Sequence, residues 1–236
     1  MSKTALSLLC LAAFAGSPAQ AREPSFVSVD QIHAMLILPE PPAATSEATK
    51  AELAELHRIE ASRTKDQSDR AATDDKDESI FLFNRVLGSK FSAEALPVTA
   101  AFSARVKNDE GVNAAPAKVG FHRVHPYNLD KTLHPICATK TKDDSYPSGH
   151  TLVGYLLALS LIEIVPEKRD AILARADDYA NNRMICGVQY RSDLHASKLL
   201  AYSVHAVMAN NPQYQKELAA ARQEVRLALG LASVAN

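Results

Sequence analysis

Apolar residues recur along the chain in blocks with helical spacing, and polar or proline-containing segments separate the blocks. The first block predicts one face of an amphipathic helix that starts near Ser46, with apolar positions at Leu53, Leu56 and Ile59. A strongly polar segment, residues 64–78, carries five aspartates and predicts a solvated helix followed by a loop. The next apolar block, residues 80–87, predicts a buried helix that ends at Gly88.

The longest apolar block of the second half covers residues 150–165 and is apolar nearly all round, which is typical of the central helix of a bundle. Pro166 breaks this helix and is suited to the first turn of the next one. Further helices are expected over 97–106, 166–184, 192–209 and 212–229, with loops over 111–117 and 126–147. These blocks together predict an all-α, single-domain helical bundle.

Composition narrows the class of protein. The 236 residues are 47% hydrophobic and 22% charged, an ordinary globular composition that excludes disordered and collagen-like chains. Only 8 residues are glycine, which is few for a protein built on hairpins and disfavours the all-β classes. The net charge of −1 gives no electrostatic reason to expect nucleic acid or an anionic membrane surface as a partner.

The first 21 residues predict a secretory signal peptide. Lys3 precedes a short apolar run over residues 5–16, and small residues flank the expected cleavage point after Ala21. The protein is therefore expected in the periplasm or outside the cell. No other apolar run is long enough to span a membrane. The remaining chain divides into an extended, proline-rich arm over 22–45 and a helical domain over 46–236.

Cysteine usage agrees with export. Cleavage of the signal peptide would remove Cys10 and leave Cys137 and Cys186. A single pair in an exported protein predicts one disulfide, and two buried thiols are the alternative.

The tetrapeptide Pro-Ser-Gly-His at 147–150 stands where a loop enters the apolar helix. Glycine at 149 permits close backbone approach, and the first amides of a helix form a ready anion site. The Ser148 hydroxyl adds a donor, and His150 is placed to protonate a leaving oxygen. The simpler interpretation is an N-cap serine followed by an ordinary histidine. Lys118 and Arg183 favour the phosphate pocket, because cations that converge on a helix N-terminus suit an oxyanion.

With these residues the chain resembles the bacterial class A non-specific acid phosphatases, in the type 2 phosphatidic acid phosphatase and vanadium haloperoxidase superfamily. That family carries Lys-x6-Arg-Pro, then Pro-Ser-Gly-His, then Ser-Arg-x5-His-x3-Asp. The positions that match here are Lys118, Pro126, Pro147, Ser148, Gly149, His150, Arg183 and Asp193. The resemblance implies the superfamily's helical fold and activity on phosphate monoesters.

Three positions depart from the pattern: His125 replaces arginine, Asn182 replaces serine and Gln189 replaces the second histidine. In the family, that histidine attacks phosphorus and becomes a phosphohistidine. A carboxamide cannot take this role, because its nitrogen lone pair is delocalised into the carbonyl. The superfamily's vanadium enzymes also ligate their metal through this histidine, so neither a metal nor a cofactor is expected.

The resemblance assigns roles to the remaining positions. Phosphate recognition falls to Lys118, His125, Ser148, Gly149 and Arg183. His150 is the acid for the leaving group, and Asp193 is expected to accept a hydrogen bond from the Gln189 amide. Arg123 and Arg191 are candidates to replace the charge lost at position 125, and His125 and His195 are candidates for a relocated nucleophile.

Three interpretations follow. The family implies a periplasmic acid phosphatase acting on phosphate monoesters. The chemistry of Gln189 favours a catalytically inactive relative that binds phosphate or phosphoesters. In the third, the pocket is only a relic. The expected partners are small phosphorylated molecules or inorganic phosphate. Nucleic acid is not expected as a partner, and no membrane span is expected. A homo-oligomer is possible.

Overall fold

The computed structural model describes residues 22–138 and 141–232, and the predicted signal peptide lies outside these ranges. The described residues contain ten α-helices: α1 (Ala34–Ile37), α2 (Glu47–Ser62), α3 (Lys65–Asp74), α4 (Asn84–Leu87), α5 (Pro97–Phe121), α6 (Pro126–Leu129), α7 (Gly149–Ile164), α8 (Arg169–Ile185), α9 (Arg191–Met208) and α10 (Pro212–Leu229). Short 3₁₀ helices cover Ile80–Phe83 and Pro166–Lys168. No strand occurs in the described ranges, so the predicted all-α class is confirmed.

Helix α7 is the centre of the bundle, as its uniform apolar character predicts. It packs against α5, α8, α9 and α10, and most of its side chains are buried. Ser148 caps its N-terminus by accepting a hydrogen bond from the Thr151 amide at 3.4 Å. The close approach of α8 depends on Gly154, because a Cβ there would collide with the ring of Tyr179. The phosphate-pocket tetrapeptide therefore begins the most buried helix of the fold.

Helix α5 is longer than predicted. The expected loop over 111–117 is wrong, because the helix runs without interruption from Pro97 to Phe121 and contains Pro116. Pro116 removes one backbone donor from the helix. Its neighbours Ala114 and Ala117 are fully buried in the core, and this burial outweighs the local helix-breaking tendency. The longer helix brings Lys118 to the pocket.

The acidic segment was expected to be solvated, and that prediction is wrong at its C-terminal end. Asp74 is buried, where it accepts two hydrogen bonds from Arg175 and one from Asn182. Periodicity could not show this, because the arginine partner lies 101 residues away on α8. Asn182, one of the three departures from the family pattern, belongs to this cluster.

The arm over 22–45 lies along α5, where the Asp109 carboxylate accepts hydrogen bonds from the amides of Ser25, Phe26 and Val27. The predicted Cys137–Cys186 disulfide is present and joins the loop before α7 to the end of α8, with Cα atoms 5.2 Å apart. Among the described residues, no helix combines the length and apolar character that crossing a membrane requires.

Candidate active site

One cavity of about 300 Å³ brings together the residues predicted to hold phosphate. Its walls come from the end of α5, the loop before α6, the first turn of α7, the end of α8 and the link to α9. The predicted site residues on these walls are Lys118, His125, Ser148, Gly149, His150, Arg183 and Gln189. Asp193 is the predicted site residue that does not line the cavity.

The first turn of α7 supplies the anion-binding end of the cavity. The first amides of a helix have no partner within it and favour an anion, and Ser148, Gly149 and His150 all line the cavity. Gly149 lies close to Glu110: a Cβ there would lie 2.8 Å from Oε1 of Glu110, so the Glu110 side chain would have to shift. Burial raises the pKa of Glu110 to about 7. A carboxyl group that titrates near neutrality therefore lies directly behind the first turn.

His150 is held in one orientation by three neighbours. Its Nε2 lies 3.1 Å from the Asp75 carbonyl oxygen, its Nδ1 lies 3.5 Å from Oε1 of Glu78, and its ring stacks on Tyr179. The carbonyl can only accept, so Nε2 carries a proton. Burial and the nearby Arg183 guanidinium lower the pKa of His150, although Glu78 opposes them.

Arg183 supplies a second cationic group, and its Nη1 donates to Oδ1 of Asp75. Burial works against ionisation of Asp75, but the hydrogen bond and charge of Arg183 lower its pKa below the ordinary value. The amide of Ala138, next to the disulfide, also donates to Asp75 at 3.2 Å. The buried Nε of Arg183 has no hydrogen-bond partner among the described residues. Arg183 therefore lines the cavity and keeps one buried donor that no described protein acceptor satisfies.

Lys118 lies at the opposite wall, where its Nζ donates to the backbone oxygen of Asp144 at 2.7 Å. Burial lowers the pKa of Lys118, and the charges of Asp144 and Glu110 oppose this effect. The ammonium group thus lies beside the cavity in a dehydrated position, where its attraction for an oxyanion is strong.

The two substituted positions contact each other. His125 Nδ1 lies 2.8 Å from the Val188 carbonyl oxygen and 3.3 Å from the side-chain amide of Gln189. On the other side of the ring, Nε2 lies 2.9 Å from Oδ1 of Asp144. The pKa of Asp144 is lowered by hydrogen bonds from Thr141 and His125, despite partial burial, so this carboxylate is an acceptor. Both ring nitrogens therefore donate, and neither offers a lone pair to phosphorus.

Asp193 does not accept a hydrogen bond from the Gln189 amide, so this part of the prediction is wrong. Its carboxylate accepts from Arg123 Nη1 at 2.6 Å, Ser145 Oγ at 2.6 Å and the Tyr190 amide at 2.9 Å. The Arg123 guanidinium donates to the Asp193 carboxylate instead. The sequence did not predict this contact, because Arg123 lies 70 residues from Asp193.

The other candidates for compensation lie away from the cavity. Arg123 is buried between Asp193 and Glu52, and Arg191 pairs with Glu55. His195 is exposed and lines a different depression on the surface. Neither arginine replaces the charge at position 125 within the cavity, and His195 is not placed to act as a nucleophile there.

Sequence reasoning missed the acidic residues of the cavity, which are Asp75, Glu78 and Asp144. Asp75 and Glu78 belong to the segment interpreted as solvated. Asp144 stands four residues before Ser148, and the motif contained no signal for it. These carboxylates face the cations of the site, so the cavity holds charges of both signs.

The family model described as the PAP2 superfamily matches residues 97–217, which is just over half of the chain. This chain belongs to the PAP2 superfamily. The matched range contains every predicted site residue, from Lys118 to Asp193.

Curated members of the superfamily with similar sequences are named acid phosphatases. A non-specific acid phosphatase of Providencia stuartii is 38% identical over 113 residues, covering 46% of this chain and 45% of that protein. One of Salmonella typhimurium is 33% identical over 164 residues, covering 65% of each chain. An acid phosphatase of Zymomonas mobilis is 31% identical over 146 residues, covering 60% of this chain and 54% of that protein. The chain thus spans between 45% and 65% of these relatives' lengths.

A solved structure confirms the PAP2 fold. The crystal structure of the first transmembrane PAP2 type phosphatidylglycerolphosphate phosphatase from Bacillus subtilis matches with a TM-score of 0.51 and 15% identity. The match covers 75% of this chain and 89% of that one.

Proposed function

We propose that this PAP2 member binds inorganic phosphate or phosphate monoesters in the cavity and does not form a phosphohistidine at position 189. The observation that carries the proposal is the convergence of Lys118, Arg183 and the first turn of α7 on a cavity that Gln189 also lines. Two cations and oriented amides suit an oxyanion, whereas the carboxamide cannot attack phosphorus.

The contacts of His125 support this proposal. A relocated nucleophile needs a ring nitrogen with a free lone pair, and both nitrogens of His125 face acceptors. In this state the imidazole carries a positive charge that partly replaces the family's arginine at the same position. His125 then contributes to the electrostatic attraction of phosphate without attacking it.

A second candidate function is slow phosphatase activity on phosphate monoesters, as the names of the relatives suggest. His150 supports it, because a histidine is present to protonate the leaving oxygen. The side chain of Asp144 is 37% exposed, so it is free to turn toward solvent and release Nε2 of His125. In that arrangement His125 would be the nucleophile and the Val188 carbonyl would orient it through Nδ1.

Two measurements on the protein without residues 1–21 separate these functions. Inorganic phosphate should raise the melting temperature according to its dissociation constant, because it binds the folded state alone. An acid-quench experiment with a labelled phosphomonoester should trap no phosphoenzyme, and His150→Ala should not lower the background rate. A trapped phosphohistidine at position 125 would establish the second function, and a folded protein without any shift in millimolar phosphate would contradict the first.

The variant Gln189→His tests the assigned place of the missing nucleophile. Loss of a hydrolase nucleophile lowers kcat by about 10⁶, so the restored imidazole should produce measurable turnover and a phosphoenzyme at position 189. Recovery should be partial, because Arg123, Ser145 and the Tyr190 amide occupy the Asp193 carboxylate that would orient the new ring. The addition of His125→Arg should increase turnover further. Equal inactivity of the single and double variants would contradict this assignment.

The periplasm is the proposed location. The prediction rests on residues 1–21, and the Cys137–Cys186 disulfide agrees with an oxidising compartment. A fusion of residues 1–21 to a reporter that is active only after export tests the prediction.

A further inference from the structure

The amide of Gln189 has two groups, and only one of them has a partner among the described residues. The atom placed as Nε2 lies 3.3 Å from His125 Nδ1, and Oε1 is buried without a hydrogen bond. The residue is 95% buried and lines the cavity. The unpartnered group is therefore a buried polar atom that protein atoms do not satisfy, and it belongs to a residue that lines the phosphate cavity.

The tautomer of His125 determines which way the amide faces. Its Nδ1 lies 2.8 Å from the Val188 carbonyl oxygen, which accepts only, so Nδ1 carries a hydrogen. An amide nitrogen opposite this N–H would place two donors against each other. The oxygen and nitrogen of a glutamine amide are assigned from such networks, and an exchange of the two resolves the conflict. Oε1 is then a second, longer acceptor at 3.3 Å for the His125 N–H that also donates to Val188, and the NH₂ group takes the unpartnered position.

Arg183 lines the same cavity and holds a second unpartnered donor, because its buried Nε has no partner among the described residues. Two buried N–H groups without protein acceptors match a ligand that carries acceptors alone. The unprotonated oxygens of a phosphate group meet this requirement, because they carry negative charge and accept hydrogen bonds only.

We propose that Gln189 is a phosphate-binding residue, whose NH₂ group donates to a phosphate oxygen while His125 Nδ1–H holds its carbonyl oxygen in place. The proposal rests on the proposed function. Gln189, at the family's nucleophile position, then binds the anion through an uncharged amide, and His125 is the positioning residue that orients this amide. The two departures from the family pattern thus act as one pair.

The test is a titration of the folded protein with inorganic phosphate. Calorimetry measures the affinity, and NMR of ¹⁵N-labelled glutamine monitors the side-chain NH₂ resonances. Gln189→Met identifies the Gln189 signal and removes the donor while keeping the side-chain length. Phosphate should move the Gln189 NH₂ signal and leave that of Gln213, which donates to Glu217 on the surface, unchanged. Gln189→Met should weaken phosphate binding about tenfold, as expected for one hydrogen bond to a charged acceptor. Gln189→Glu, of equal size but negative, should abolish it.

The outcomes distinguish this inference from the proposed function. If the folded wild type binds no phosphate, the proposed function fails and the inference falls with it. If the wild type binds, but Gln189→Met binds within twofold and the Gln189 NH₂ signal stays unmoved, the inference is overturned and the proposed function stands. If the signal moves in the wild type but not in a folded His125→Leu variant, the positioning role of His125 is supported.

Discussion

Two arginine–aspartate pairs on α8 differ in what surrounds them. Arg175 pairs with Asp74, and eight residues further along the same helix Arg183 pairs with Asp75. The two aspartates are neighbours in sequence, and both arginine side chains are more than nine-tenths buried. Only the second pair lines the cavity.

Their hydrogen bonds explain the difference. Arg175 makes a two-pronged contact with Asp74, at 2.9 and 2.7 Å, and its Nε donates to the Leu82 carbonyl oxygen. Arg183 contacts Asp75 through one nitrogen, and its Nε has no partner among the described residues. A fully satisfied buried arginine stabilises the fold, whereas one with a free donor at a cavity is available to a ligand.

The largest expected effect comes from breaking the satisfied pair. Arg175→Met should lower the free energy of unfolding by about 3–5 kcal/mol, because it leaves the Asp74 carboxylate buried without its counter-charge. Arg183→Met should lower it by about 1–2 kcal/mol, since Asp75 is also held by the Ala138 amide and borders the cavity. Urea unfolding of both variants measures the difference. Equal losses would show that the pairs have the same structural role.

Of the four residues in these two pairs, the sequence singled out only Arg183. Arg183 was recognised because, with Asp193, it fits the family's Ser-Arg-x5-His-x3-Asp pattern, which records phosphate chemistry. Its partner Asp75, and both members of the other pair, were missed because long-range ion pairs leave no local signal.

The helices show the same limit. The buried α7 was predicted because its apolar pattern is local. The segment 111–117 was expected to be a loop from its glycine and proline, although burial in the core keeps it helical. The disulfide was predictable because the predicted signal-peptide cleavage leaves a single pair of cysteines. The contact between His125 and Gln189 required the fold.

Glu110 differs from Asp74 and Asp75. It lies beside Gly149 and has no arginine partner among the described residues. Burial raises its pKa from 4.5 to about 7, so the folded state holds the proton more tightly than the unfolded state. Its stabilising contribution is complete below pH 4.5 and is lost as the pH rises through 7. Glu110→Gln should match wild type in stability near pH 4 and exceed it by up to about 3 kcal/mol at pH 8.

Glu60 provides a control of opposite sign. Burial alone would raise the pKa of Glu60, but hydrogen bonds from His134 lower it below the ordinary value. Its contribution is present at neutral pH and is lost as the pH falls through the lowered value, so Glu60→Gln should be the less stable protein at pH 8. Urea unfolding between pH 4 and 8 tests both variants. A Glu110→Gln stability difference that does not change with pH would show that the pKa of Glu110 is the same in the folded and unfolded states.

The smallest expected effect is on phosphate binding. Here substitution of Arg183 should have the larger effect and substitution of Arg175 the smaller one, the reverse of their effects on the free energy of unfolding. Arg183→Met should weaken phosphate binding by at least about tenfold, because a charged donor to the ligand is lost. Arg175→Met should bind phosphate as tightly as wild type wherever it is folded, since Arg175 does not line the cavity. If Arg175→Met is too unstable to purify, Arg175→Lys and Arg183→Lys repeat the comparison with the charge kept and the guanidinium fork removed. Calorimetric titration with inorganic phosphate measures both pairs of variants. Equal weakening at the two positions would mean that Arg183 acts through the packing of α8 and does not contact the ligand.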